Sequence, residues 1–189
     1  MKIGLYFGSF NPIHIGHLII ASYIANSTDV QKIWFVVSPQ NPHKPSSSLL
    51  NEYQRLHLVN LAIEGDDRFK ASNIEFTLPK PSYTIDTLTY LQEKYPHYEF
   101  DIIIGSDSIN NLHNWKNYEQ LIKNYSFLVY ERPGFTPNFS TEIKATIIKA
   151  PMLDISSTQI RNYIKSSKSI SYLTTKAVEE EIIRYGYYK

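Results

Sequence analysis

Residues 2–8, KIGLYFG, form an apolar run that ends in glycine. A run of this kind, closed by a turn residue, reads as a strand buried on both faces. Such strands belong to parallel sheets covered by helices. KIWFVVS (32–38) reads the same way, and further strands are predicted at SNIEF (72–76) and YEFDIIIGS (98–106). SFLVYERPG (126–134) reads as a strand into a turn, and TIIKAPMLDI (146–155) as a strand-like run interrupted by Pro151. Between these runs, helical patterns fall at 17–26, 51–65, 82–95 and 117–125, and closing helices at 157–167 and 176–186. Asn51 with Gln54 makes an N-terminal capping pattern, Gly65 ends that helix and Pro96 stops the next. Strand–helix alternation predicts one α/β domain over residues 1–189: a doubly wound, Rossmann-like parallel sheet with helices on both faces and the last two helices at one end.

Composition narrows the function classes. With 42% hydrophobic and 20% charged residues the chain is globular. It contains no cysteine, which excludes disulfides, thiolate metal sites and cysteine catalysis and fits a cytoplasmic protein. A net charge of +1 gives no field that points to nucleic acid or a membrane surface as partner. No stretch approaches the roughly 18 apolar residues of a membrane span. A homo-oligomer is left open.

In a doubly wound sheet, ligands bind beyond the carboxyl ends of the strands, at the switch point. Five polar clusters lie at predicted strand ends: Gly8–His17, Ser38–Lys44, Gly105–Asp107, Arg132 and Ile155–Arg161.

The first cluster, GSFNPIHIGH, carries two histidines three positions apart. As a metal pair, His14 and His17 lack a third ligand nearby. They also read as ordinary loop and helix-start residues. As an anion site, they would add donors to the free N–H groups and positive potential of a helix N-terminus. Gly8 lets the chain turn tightly or approach a ligand. Gly16 sits where a side chain would block a phosphate. Neither a Walker A loop nor G-x-G-x-x-G is present. In the last cluster, DISSTQIR, Ser156 with Gln159 forms a capping box. The same helix start carries Ser157 and Thr158, and Arg161 one turn later adds a fork matched to phosphate oxygens.

GSFNPIHIGH resembles the G-x-F-x-P-x-H-x-G-H signature of the nucleotidylyltransferase superfamily, and ISSTQIR resembles its second signature, I-S-S-T-x-I-R. The segments NPHK (41–44), QRLHLVNLAI (54–63), PSYTIDTL (81–88), IIGSDSINNLHNW (103–115) and ERPG (131–134) are similar to one branch, the bacterial nicotinate-nucleotide adenylyltransferases. Asn11 stands where many members have Asp, and Lys116 where some have Tyr.

The resemblance implies transfer of AMP from ATP to nicotinate mononucleotide, giving deamido-NAD and pyrophosphate. It implies Mg²⁺ carried on the ATP phosphates and no protein-bound metal. His14, His17 and Arg161 would be catalytic. Gly8, Ser9, Phe10, Gly16, Ile155, Ser156, Ser157, Thr158 and Arg161 would bind ATP. Lys44, Thr84, Gly105, Asp107, Trp115 and Arg132 would bind the acceptor, with Thr84 and Trp115 around the pyridine ring. The alternatives are an enzyme using nicotinamide mononucleotide or another small acceptor, and a non-catalytic nucleotide-binding regulator.

Overall fold

The side chains of the central strands alternate between two apolar cores, one on each face of the sheet. The computed structural model describes residues 1–40 and 49–189. Among them, six strands form one all-parallel sheet: β1 (Lys2–Gly8), β2 (Lys32–Val37), β3 (Phe69–Ser72), β4 (Glu99–Gly105), β5 (Ser126–Tyr130) and β6 (Ala145–Ile148). Their order is β3-β2-β1-β4-β5-β6. The helices are α1 (Ile15–Ser27), α2 (Glu52–Ile63), α3 (Thr84–Lys94), α4 (Ser106–Ile109), α5 (Tyr118–Asn124), α6 (Ser157–Lys165) and α7 (Lys176–Tyr185).

On one face, Tyr6, Ile33, Phe35, Ile103 and Leu128 pack with residues of α1, α2, α6 and α7. On the other, Ile3, Leu5, Trp34, Val36, Ile102 and Val129 pack with Ile85, Leu88 and Leu91 of α3 and Leu121 of α5. Burying each such side chain contributes about 1.5–3 kcal/mol, so register is strongly specified on both faces. The last two helices join the α1–α2 face, where Ile160, Val178 and Ile182 share its core. Among the described residues no helix is long and apolar enough to cross a membrane.

Three predicted strand boundaries move. The run expected as strand-like over 146–155 is a strand only at Ala145–Ile148 and leaves the sheet before Pro151. The strand expected at 72–76 instead occupies Phe69–Ser72, in parallel register with Ile33–Val36. Ile74–Thr77 forms a 3-10 turn, and Glu75 within it is 2% exposed. The strand expected through residue 106 ends at Gly105, and Ser106 opens α4.

The chain leaves β1 toward β2 on one side and later returns to place β4 on the other. The crevice above the ends of β1 and β4 is therefore the switch point. Gly8 and Gly105 end the two strands that flank it.

Candidate active site

A cavity of about 860 Å³ opens at this switch point. Gly8, Ser9, Phe10, His14 and His17 line it from the β1–α1 loop, and Ser156, Ser157, Thr158 and Arg161 from the start of α6. Thr84, Gly105, Asp107, Trp115 and Arg132 line the opposite part. A smaller adjoining cavity of about 60 Å³ is bordered by Gly16 and Ile155 together with Pro151 and Met152. Sixteen of the seventeen predicted site residues thus line two neighbouring cavities; Lys44 lies outside the described residues.

The N-termini of α1 and α6 meet because side chains staple them. Arg161 donates from Nη1 to the Asn11 carbonyl at 2.8 Å and from Nη2 to Thr158 Oγ1 at 3.2 Å. Ser157 donates its hydroxyl to the Pro12 carbonyl at 2.8 Å. Residues about 150 positions apart in the chain are joined this way. Ser156 caps α6 as its sequence pattern predicts, its Oγ accepting from Gln159 N–H at 3.2 Å. Two helix N-termini converging on one cavity present unpaired N–H groups and positive potential to an anion.

His14 is the N-cap residue of α1 and His17 stands in its first turn. Their rings lie 3.7 Å apart at 31°. The His14 backbone N–H donates to His17 Nδ1 at 3.3 Å. An accepting Nδ1 assigns the proton of a neutral His17 to Nε2, which makes that nitrogen the donor. The His17 ring is held edge-on by Phe10 at 5.1 Å and by Tyr6 at 5.9 Å. Phe10 itself is 2% exposed, with φ of 44°, in the left-handed region where a bulky side chain is rare. Its ring packs on Tyr6 and Phe35. The phenylalanine of the loop therefore supports the imidazole from behind.

Burial, reinforced by the Arg132 charge, lowers the His14 pKa from 6.5 to about 4. His14 is accordingly neutral near pH 7. A Cβ on Gly16 would stand 3.1 Å from Cε1 and Nδ1 of this ring. Glycine here gives the His14 imidazole its place against the first turn.

At the end of β4, an added Cβ on Gly105 would collide with Asp107 Oδ1 and lie 2.9 Å from Arg132 Cδ. The bare backbone lets these two side chains cross the strand end, where Arg132 Nη1 meets Asp107 Oδ2 at 3.3 Å. Further along the cavity, Lys116 pairs with Asp86 at 2.8 Å, its Nζ 4.8 Å from the Tyr83 ring centre. Trp115 is half-buried and backed by the second core.

Sequence reasoning missed two buried charges. Arg55 is fully buried, and its guanidinium donates to the carbonyls of Leu50, Ser9, Ser38 and Pro39. It ties the loops after β1 and β2 to the start of α2. Its signal was legible: with Leu58, Val59 and Ile63 it occupies the inward stripe of α2, an apolar face that carries one cation. Glu75 accepts from Ser82 Oγ at 2.7 Å and Thr87 Oγ1 at 2.9 Å. Burial raises its pKa against the opposing pull of these hydroxyls and that of Ser38. Among the described residues no three His, Cys, Asp or Glu side chains group closely enough to hold a metal ion.

Fold and site together define a Rossmann-like protein whose switch-point crevice is built from two helix starts. Residues 5–163 match the cytidylyltransferase-like family. A protein of Cytophaga hutchinsonii named "Probable nicotinate-nucleotide adenylyltransferase" is 53% identical over 189 residues, spanning 100% of this chain and 98% of its own. A Flavobacterium psychrophilum protein of the same name is 51% identical over 192 residues, spanning all of both chains. The solved structure "Plasmodium falciparum nicotinic acid mononucleotide adenylyltransferase complexed with NaAD" superposes with a TM-score of 0.84 at 24% identity, covering 99% of this chain and 97% of that one. It shares the fold. The chain belongs to the cytidylyltransferase-like family, in its nicotinate-nucleotide adenylyltransferase branch.

Proposed function

We propose that this chain transfers the adenylyl group of ATP to nicotinate mononucleotide, releasing pyrophosphate and forming deamido-NAD. The observation that carries the reading is the stapling of two helix starts, one bearing His14 and His17 and the other Ser157, Thr158 and Arg161, around one cavity. The names of the full-length relatives support the acceptor.

The chemistry needs no protein nucleophile. A phosphate oxygen of the mononucleotide attacks the α-phosphorus of ATP. The bond to the bridging oxygen breaks, and its electrons leave with pyrophosphate. What the protein supplies is alignment of two polyanions and fixed donors where charge grows. His17, with Nε2–H as donor, faces the α-phosphate, and neutral His14 stands beside it. Ser9 and the backbone at Gly8 and Phe10 bound that end. Ser157, Thr158 and Arg161 hold the β- and γ-phosphates, while Ile155 and Gly16 border the ATP site from the adjoining cavity. Thr84, Gly105, Asp107, Trp115 and Arg132 form the acceptor end, where a tryptophan face suits a cationic pyridinium. Mg²⁺ would enter as part of the MgATP substrate, where it would offset the charge of the phosphates.

The test is pyrophosphate release from MgATP with each mononucleotide separately. Nicotinate mononucleotide is expected to support turnover far better than the amide. Equal turnover on the amide would reassign the acceptor, and release with neither would remove the activity. Activity is expected to vanish with Mg²⁺ chelated and to persist without added zinc.

A further inference from the structure

Glu75 is 2% exposed, yet no cationic side chain among the described residues pairs with it. Among the described residues, Lys80 is paired with Glu52 and Lys116 with Asp86. A buried carboxylate that meets hydroxyls and no cation among the described residues is a costly choice for stability alone. Its position shows what it holds. Ser82 lies two residues before Thr84, and Thr87 three residues after it. One carboxylate grips both hydroxyls, at 2.7 and 2.9 Å, and so brackets the residue that opens α3. Ser82, Thr84 and Glu75 all line the large cavity. The Ser38 hydroxyl approaches the same carboxylate, and the Ser38 carbonyl is held by Arg55 at 2.8 Å. Arg55 also binds the Ser9 carbonyl of the β1 loop. The network thus runs from the phosphate loop, through Arg55 and Ser38, to the segment that opens α3.

We propose that Glu75 is a positioning residue for the acceptor, fixing the Ser82–Thr84 segment through Ser82 and Thr87 so that the acceptor end is preformed before the mononucleotide arrives. The proposal rests on the functional reading above and deepens its acceptor side. Glu75 does not touch the reacting phosphates. Its loss is felt in acceptor binding, while ATP binding, on the α1–α6 side, stays as it is.

The experiment compares the whole chain with Glu75→Gln, Ser82→Ala and Thr87→Val, measuring KM for nicotinate mononucleotide, KM for MgATP, kcat, and the Kd of a non-hydrolysable ATP analogue. Glu75→Gln is expected to raise the acceptor KM about tenfold or more, the factor for losing a hydrogen bond to a charged group. The ATP Kd is expected to stay within about twofold and kcat within about threefold. Ser82→Ala and Thr87→Val are expected to show the same split, each smaller, and to add less than fully to Glu75→Gln. Loss of ATP affinity in step with acceptor KM would mark a general structural role and overturn the proposal. An unchanged acceptor KM in all three variants would also overturn it. If Glu75→Gln fails to fold, the two hydroxyl variants decide by the same criterion. Wild-type turnover on nicotinate mononucleotide is measured alongside. Its absence would count against the functional reading, whereas its presence without the split counts against Glu75.

Discussion

Behind the pocket wall proposed for the ATP phosphates stands a buried arginine, and behind the wall proposed for the acceptor a buried glutamate. Arg55 reaches four backbone carbonyls and Glu75 meets side-chain hydroxyls. Neither forms an ion pair with the other. The difference follows from what each must hold. The loops after β1 and β2 present carbonyls that a forked donor can gather from several directions at once. The start of α3 is anchored through Ser82 and Thr87, which need an acceptor. The two walls therefore fail differently when their buried charge is removed.

The largest effect is expected from Arg55→Met. Removing the guanidinium takes the arginine donor from four buried or part-buried carbonyls, a loss of roughly 3–5 kcal/mol. Urea denaturation measures it. Glu75→Gln keeps one of the two acceptor oxygens, loses the other hydrogen bond, and is expected to lose about 1.5 kcal/mol. Equal losses in the two variants would erase the distinction between a wall that carries stability and one that carries acceptor geometry.

His17→Ala comes next and acts on rate. Removing one preorganised donor to developing charge costs about 10²–10³ in kcat. The ATP Kd is expected to change only a few-fold, because the donor matters most in the transition state. A drop in ATP affinity with kcat intact would turn His17 into a ground-state ligand. Arg161→Ala is expected to weaken ATP binding and turnover together, since its guanidinium also staples α6 to the Asn11 carbonyl.

The phosphate wall also carries a pH signature. His14 titrates at about 4 when folded against 6.5 ordinarily. As pH falls below 6.5 the unfolded chain takes up the proton first. His14 therefore subtracts stability progressively between about pH 6.5 and 4, reaching about 3 kcal/mol at most. Wild type is expected to lose more stability than His14→Gln between pH 7 and 4.5, read by urea midpoints. Parallel losses would show that His14 is not held neutral.

The walls also differ in how far they could be read from the chain. GSFNPIHIGH and ISSTQIR each concentrate their chemistry in a few consecutive residues, and the Ser156 cap is local enough to be seen in the sequence. The sheet was legible because β1, β2 and β4 are nearly continuous apolar runs. Glu75 was not. It sits between Ile74 and Phe76, where a strand pattern turns it outward, and the 3-10 turn buries it instead. Its partners lie 7 and 12 residues away, and nothing local announces them. β3 was misplaced for a related reason: FKAS is half-exposed at the sheet edge, and pairing with β2 decides it.

The smallest effect is expected at Lys116, which stands at the acceptor mouth. Its ammonium lies in the Asp86 carboxylate's grip at 2.8 and 3.0 Å, over the Tyr83 ring. Both partners are about 40% exposed, at 43% and 42%, and an exposed pair of this kind contributes about 0–1 kcal/mol. With its charge already answered by Asp86, Lys116 adds little net field to a nicotinate carboxylate. Lys116→Tyr is therefore expected to change kcat/KM for nicotinate mononucleotide less than about fivefold, the span of 1 kcal/mol. The ratio of acid to amide turnover is expected to stay within about twofold. A tenfold fall in that ratio would mean that the acceptor wall reads its substrate with a side-chain charge. The acceptor wall would then carry a second charge, one that works on the ligand and not on the scaffold behind it.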